Sequence, residues 1–97
     1  MKRKVEQHND KQLLRRLRTG DPNALNDAYR QYRVWLLVVA TTYLTDEAEA
    51  KTLVEDFFIE CWDKNLFKDV RVPLRTFLFK TLTERCKKQG IQVNMYP

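Results

Sequence analysis

Apolar side chains recur along this chain at spacings of three and four residues, which is the period of an amphipathic helix. The clearest stretch runs from residue 50 to residue 62, and its apolar stripe consists of Ala50, Leu53, Val54, Phe57, Phe58, Cys61 and Trp62. Glycine occurs only at positions 20 and 90 and proline only at 22, 73 and 97, so few residues interrupt the pattern. The sequence therefore predicts an all-α fold, a compact bundle of about four helices with abrupt joints.

Capping residues place the first two helices. The first is expected to begin after Asn9 or Asp10 and to end at Gly20, because glycine suits a left-handed C-cap. Asp21 and Pro22 open the second, since aspartate accepts free backbone amides and proline at the first helical position loses no needed hydrogen bond. The expected inward positions are Leu13, Leu14, Leu17, Leu25, Ala28, Tyr29, Tyr32, Leu36, Val39, Ala40 and Tyr43.

The second helix is apolar on most sides, because Val34, Trp35, Leu37 and Val38 broaden its stripe. Such a helix is typical of a central element covered by others, or of a protein contact.

The second half of the chain is predicted to hold two more helices. Thr45-Asp46 caps the third, which continues to about Lys64, and residues 65 to 72 form a loop. Pro73 begins the fourth, since proline restricts the residue before it, and residues after Gly90 form a short tail. The inward positions of the fourth helix are Leu74, Phe77, Leu78, Thr81, Leu82 and Cys86.

The length of 97 residues fits one domain, residues 1–97, with its helical core at about residues 10–90. The longest apolar run, residues 34 to 40, is far shorter than the roughly 20 residues that cross a bilayer. The basic N-terminus leads into polar sequence rather than the apolar core of a signal peptide. We therefore expect a cytoplasmic protein without a membrane partner.

Candidate catalytic and metal-binding residues are few. Cys61 and Cys86 are too far apart for a CxxC motif or a zinc site, and the single His8 lies in a polar stretch. Cys61 belongs to the apolar stripe, whereas Cys86 is compatible with partial exposure near the basic end. No nucleophile and base pattern, GxGxxG or phosphate-binding loop is present, so neither an enzyme nor a cofactor or metal is expected.

Charge is distributed in blocks. Residues 1 to 20 hold seven Lys/Arg against two Asp/Glu, residues 21 to 45 two against two, residues 46 to 65 two against seven, and residues 66 to 97 seven against two. The net charges are +5, 0, −5 and +5, in agreement with the total of +5. This segregation indicates a cationic partner for the third helix and an anionic one for the C-terminal region. The alternative is that each block is only a solvated, solubilising face.

The acidic block forms a ridge on the third helix, off its apolar stripe, made of Glu55, Asp56, Glu60 and Asp63. A carboxylate ridge fits an arginine-rich helical partner, with which it forms bidentate pairs. Because exposed ion pairs are worth only about 1 kcal/mol or less, apolar anchors are also required, and Leu53 or Ile59 is placed to supply one.

The basic C-terminal block alternates with aromatic residues between Phe67 and Lys80. Single-stranded nucleic acid is bound by such surfaces, where cations follow the phosphates and bases stack on aromatic rings. Phe77 is expected in the core, and Phe79 is either an exposed ring or packed on a neighbouring helix. Phe67 is equally compatible with closing the loop over the core.

These residues, in this order, resemble region two of bacterial sigma factors, especially the compact extracytoplasmic-function (ECF) group of the sigma-seventy family. The resemblance covers about residues 10 to 90. Its segments are residues 20–25 (GDPNAL) with residues 29–32 (YRQY), residues 46–62 with LVEDFF at 53–58, and residues 73–80 (PLRTFLFK).

The resemblance implies a transcription initiation domain with two partners. Its acidic helix would dock on the clamp helices of core RNA polymerase, and its loop and last helix would open promoter DNA and bind the single-stranded non-template strand of the minus-ten element. An anti-sigma factor is a further possible partner. Carried over by position, the polymerase contacts are Thr52, Glu55, Asp56 and Ile59, and the DNA side is Lys68 to Arg71, Arg75, Phe79, Lys80, Thr83 and Glu84.

Two departures from the family keep other functions open. A common Ala-Arg-Asn run aligns with Leu82-Thr83-Glu84, which removes a cation and places an anion near DNA, so promoter binding is expected to be weaker. The C-terminal helix-turn-helix domain of ECF sigma factors is also absent from residues 1–97. Two interpretations of this length are open: the chain is an excised region two, or it is a complete small protein. The alternatives are a sigma-like regulatory or decoy module without promoter activity, and a general basic nucleic-acid binder without polymerase contact.

Overall fold

The computed structural model describes the backbone of residues 2–94 and the side chains of residues 10–89. The helices are α1 (Lys2–Arg18), α2 (Pro22–Thr41), α3 (Glu47–Asp63) and α4 (Leu74–Asn94), with a 3-10 turn at Leu66–Asp69. No strand occurs in this part of the chain. The prediction of an all-α bundle of about four helices is confirmed.

The two joints predicted from capping residues have the expected geometry. Gly20 has a φ of 83°, the left-handed conformation that ends α1 without the strain a side chain would add. Asp21 then caps α2, since its Oδ1 accepts the backbone N–H of Asn23 at 2.9 Å. Asp46 caps α3 in the same way through the N–H of Ala48, also at 2.9 Å.

Both ends of the bundle differ from the prediction. Helix α1 begins at Lys2 instead of after Asn9 or Asp10, since residues 2–9 contain no glycine or proline that would interrupt it. The Asp10 side chain bonds to α2. Its Oδ1 accepts the Nε2–H of Gln31 at 3.0 Å and the hydroxyl of Tyr32. Helix α4 continues past Gly90 to Asn94, since a single glycine costs a helix only about 1 kcal/mol. Residues 95–97 of the predicted tail lie outside the described part.

Helix α2 is the central element and packs against α1, α3 and α4. Alanines at positions 24, 28 and 40 are fully buried, which lets neighbouring helices approach closely. Tyr32 and Leu36 complete the buried stripe, whereas the predicted inward residue Tyr43 is exposed. Val34 and Val38 are also exposed, at 64% and 59%, so α2 is both covered by other helices and apolar on its outer side.

The segment between α3 and α4 is anchored by apolar side chains. Asn65 adopts a left-handed conformation that ends α3, with a φ of 57°. Phe67 and Val70 are buried, so of the two roles left open for Phe67 the structure shows the one in which it closes the loop over the core. Helix α4 starts at Leu74, with the Phe77 N–H donating to the Pro73 carbonyl. The 3-10 turn packs on α1 and α3, and this anchoring leads the chain into α4, which packs on all three other helices.

Candidate functional site

Four residues predicted to contact polymerase lie on one stripe of α3. Thr52, Glu55, Asp56 and Ile59 are spaced at i, i+3, i+4 and i+7, and we call this set the α3 face. It points away from the buried stripe of the same helix. Asp56 and Thr52 are exposed and Glu55 is half-buried, so the α3 face combines a hydroxyl, two carboxylates and one aliphatic side chain.

The apolar anchor of the α3 face is Ile59 alone. Its side chain is 55% exposed, so it is accessible to a partner. Leu53, the other candidate, is only 5% exposed and belongs to the core, so the hypothesis that it anchors a partner is wrong.

Glu55 is held at the border between α3 and α2. The hydroxyl of Tyr29 donates to its Oε2 at 3.4 Å, and the Tyr29 ring packs edge-on against Phe58 with 5.4 Å between centroids. The guanidinium of Arg33 lies 5.8 Å from the centre of the Tyr29 ring. Helix α2 therefore restricts where the Glu55 carboxylate points.

The carboxylate ridge is interrupted at Glu60, although Asp63 at its end is exposed as predicted. Glu60 pairs with Lys64 at 2.6 Å and with Arg85 of α4, so its charge is neutralised within the molecule. Arg85 and Gln89 also line a shallow groove with Thr52 and Asp56. A partner on the α3 face would meet Asp56 next to a guanidinium of α4, rather than an unbroken acidic surface.

A second constellation joins α4 to α2. The guanidinium carbon of Arg75 lies 4.7 Å from the centre of the Trp35 ring, and the Phe79 ring stacks on Trp35 with 6.0 Å between centroids and 23° between planes. We call these three residues the Trp35 stack. Phe79 remains 47% exposed, so it both packs on a neighbouring helix and presents ring surface to solvent. Trp35 was not among the predicted site residues.

The remaining residues predicted for the DNA side divide into exposed and buried ones. Lys68, Arg71, Lys80 and Glu84 are exposed, together with Arg75. Thr83 is only 7% exposed, and its hydroxyl donates to the Lys80 carbonyl at 2.9 Å. The Thr83 side chain therefore takes part in packing and offers no surface to a DNA strand.

Both cysteines are free and buried. Burial raises the pKa of the Cys61 thiol to about 12 and also raises that of Cys86. Cys86 is fully buried, so its predicted inward position is confirmed and the alternative of partial exposure is wrong, since the last turns of α4 in the described region still pack on the core. Among residues whose side chains are described, no three His, Cys, Asp or Glu converge in a way that suits a metal ion.

In the described residues, no helix combines the length and apolar character that crossing a bilayer requires. Comparisons with protein-family models, with curated proteins and with solved structures gave no match.

Proposed function

We propose that this chain is a cytoplasmic transcription initiation domain, similar to region two of an ECF sigma factor. The α3 face docks on the clamp helices of core RNA polymerase, and the Trp35 stack with its neighbouring cations engages the melted non-template strand of the minus-ten element. The observation that carries the proposal is the α3 face itself. Two carboxylates and a half-exposed isoleucine occupy one helical stripe, which supplies both the charge and the apolar anchor that a basic helical partner requires.

The DNA part of the proposal is supported by the exposure of Phe79 and by the exposed cations Arg75 and Lys80 on the same helix. A ring that is stacked on one side and half-exposed offers the remaining surface to a nucleobase, while the cations reach phosphates. Burial of Thr83 removes one of the proposed contacts, so we restrict the DNA side to the exposed residues.

The test of docking is the affinity for bacterial core RNA polymerase, measured by interferometry. We expect the double variant Glu55→Lys, Asp56→Lys to bind at least about tenfold more weakly, because two attractive contacts become repulsive and tenfold corresponds to about 1.4 kcal/mol. The matched control is Asp69→Lys, Glu84→Lys, which makes the same charge change at two exposed carboxylates outside the α3 face. Equal affinity of wild type and the first variant would contradict the docking proposal.

A second candidate function is a sigma-like decoy that occupies polymerase or an anti-sigma partner without starting transcription. Glu84 favours it, since an exposed carboxylate on α4 lies among the residues proposed to face DNA and repels phosphates.

In vitro transcription separates the two functions. The template is a library with randomised minus-ten elements, so that every sequence of the element is offered. We expect wild type with core polymerase to give transcripts, and Glu84→Asn to give more of them, since the anion is removed. Absence of transcripts together with inhibition of another sigma factor would favour the decoy.

A further inference from the structure

A cationic groove of about 480 Å³ lies between α1 and the segment that leads into α4. Its cations are Lys11, Arg15 and Arg18 from α1 and Arg71 from the opposite wall. All four are exposed, and none of them forms an ion pair with a carboxylate among residues 10–89. The α3 face and the Trp35 stack share no residue with this groove.

The groove is held in shape by contacts between its walls. The Arg18 guanidinium donates to the Val70 carbonyl, which ties α1 to the segment before α4. Asp10 also lines the groove, and its carboxylate accepts hydrogen bonds from Tyr32 and Gln31 of α2. The cations are therefore concentrated on a fixed frame, where they raise the local concentration of an anionic ligand.

The surface of the groove is not only charged. Val72 and Pro73 line it, and both side chains are exposed. A duplex keeps its apolar base faces stacked inside and presents phosphates outward, whereas an unpaired strand can lay a sugar or base on such a surface while its phosphates meet the cations. The combination favours single-stranded nucleic acid over a duplex.

The groove and the Trp35 stack adjoin each other. Leu74 lines the groove, and the next residue, Arg75, lies over the Trp35 ring. On the α2 side, Tyr32 bonds to Asp10 in the groove and its ring lies 5.9 Å from that of Trp35. A strand whose base stacks on Phe79 therefore has a cationic path toward α1.

We infer that the groove between α1 and the start of α4 binds the phosphate backbone of the same single strand that stacks on Phe79. This inference rests on the DNA part of the proposed function, and it adds Lys11, Arg15 and Arg18, outside the sigma-like DNA contacts, to the binding surface. Arg71 then belongs to both parts of the surface.

The test is fluorescence anisotropy with a labelled oligothymidine of about twelve nucleotides, within the site sizes of single-strand binders. Arg15→Gln, Arg71→Gln should weaken binding at least fivefold at low salt and reduce the slope of log K against log salt by about 1.4, since each lost phosphate contact contributes about 0.7. Arg18 is left intact because it holds the groove together. The control Lys51→Gln, Lys88→Gln removes two exposed cations elsewhere and should leave the slope nearly unchanged.

Three further measurements make the outcome decisive. Arg15→Lys, Arg71→Lys keeps both charges, so its slope of log K against log salt should stay near that of wild type, whereas a slope reduced as far as in the Gln variant would overturn the phosphate role. If Phe79→Ala weakens binding while the groove variant does not, the groove inference fails and the proposed function stands. The third measurement is the affinity for a DNA duplex. If the groove variant loses duplex affinity as steeply as single-strand affinity, the inference is overturned. It is also overturned if wild type binds no oligothymidine.

Discussion

Asp21 shows how one side chain organises a joint between two helices. Its Oδ1 caps α2, and its Oδ2 accepts the Nε–H of Arg16 at 3.0 Å, while Nη1 of Arg16 pairs with Asp27 at 3.1 Å. The Arg16 hydrogen bond lowers the pKa of Asp21, and the two carboxylates raise the pKa of Arg16. The end of α1 and the first turns of α2 are therefore joined through one guanidinium.

The lowered pKa of Asp21 predicts a pH dependence of stability. Since the folded pKa lies below the ordinary value of 3.8, the carboxylate stabilises the fold above that value, and the contribution is lost as pH falls through the folded pKa. Asp21→Asn keeps the capping oxygen but loses the charge. We expect the variant to have a lower urea midpoint than wild type near pH 6, with the difference shrinking toward zero as pH falls below 3.

The control for the Asp21→Asn measurement is Asp69→Asn. The Asp69 carboxylate is exposed and forms no ion pair with any residue in the range 10–89. The midpoint of this control variant should stay near that of wild type at every pH. The difference in urea midpoint between wild type and Asp21→Asn could instead be the same at pH 6 and pH 3. In that case the aspartate contributes through capping geometry and not through the ion pair.

At the scale of single elements, the sequence predicted what local chemistry decides. The starts of α2 and α3 follow from Asp21 and Asp46, whose caps use amides only two residues away. The buried stripe of α3 follows from helical periodicity, and its six buried members were all predicted. The start of α1 was missed because Asn and Asp favour helix caps but are also tolerated inside a helix, and Asp10 lies inside α1 with its side chain bonded to α2.

The candidate site was less predictable, because it depends on contacts between elements. Periodicity placed Phe79 off the core stripe but gave no sign that it stacks on Trp35, which lies on another helix. Glu60 was assigned to the ridge because the pattern of α3 alone does not show that it pairs with Arg85 of α4. Thr83 is buried beside the apolar stripe of α4, where a hydroxyl that bonds its own backbone is readily accommodated. The groove cations were counted as part of the basic first and last blocks of the sequence, and their convergence in one cluster was not predicted.

At the scale of the molecule, the proposed functional surfaces use separate elements. The α3 face lies on one helix, whereas the Trp35 stack combines α2 with the first turns of α4 and adjoins the groove. None of the three residues of the stack belongs to the α3 face. Under the proposed function, this separation would allow a domain of 97 residues to bind a protein partner and a nucleic-acid strand at the same time, through surfaces of opposite local charge.

Separate surfaces predict that the two binding activities can be removed one at a time. Phe79→Ala should lower affinity for single-stranded DNA by about fivefold to more than a hundredfold, because one stacked base is worth about 1 to 3 kcal/mol, and should leave polymerase affinity unchanged. Glu55→Lys, Asp56→Lys should do the reverse, and its added positive charge should not weaken strand binding. Anisotropy and interferometry on both variants measure this. If each variant loses both activities while its circular dichroism spectrum stays native, the two surfaces are coupled, and the assignment of one partner to each is wrong.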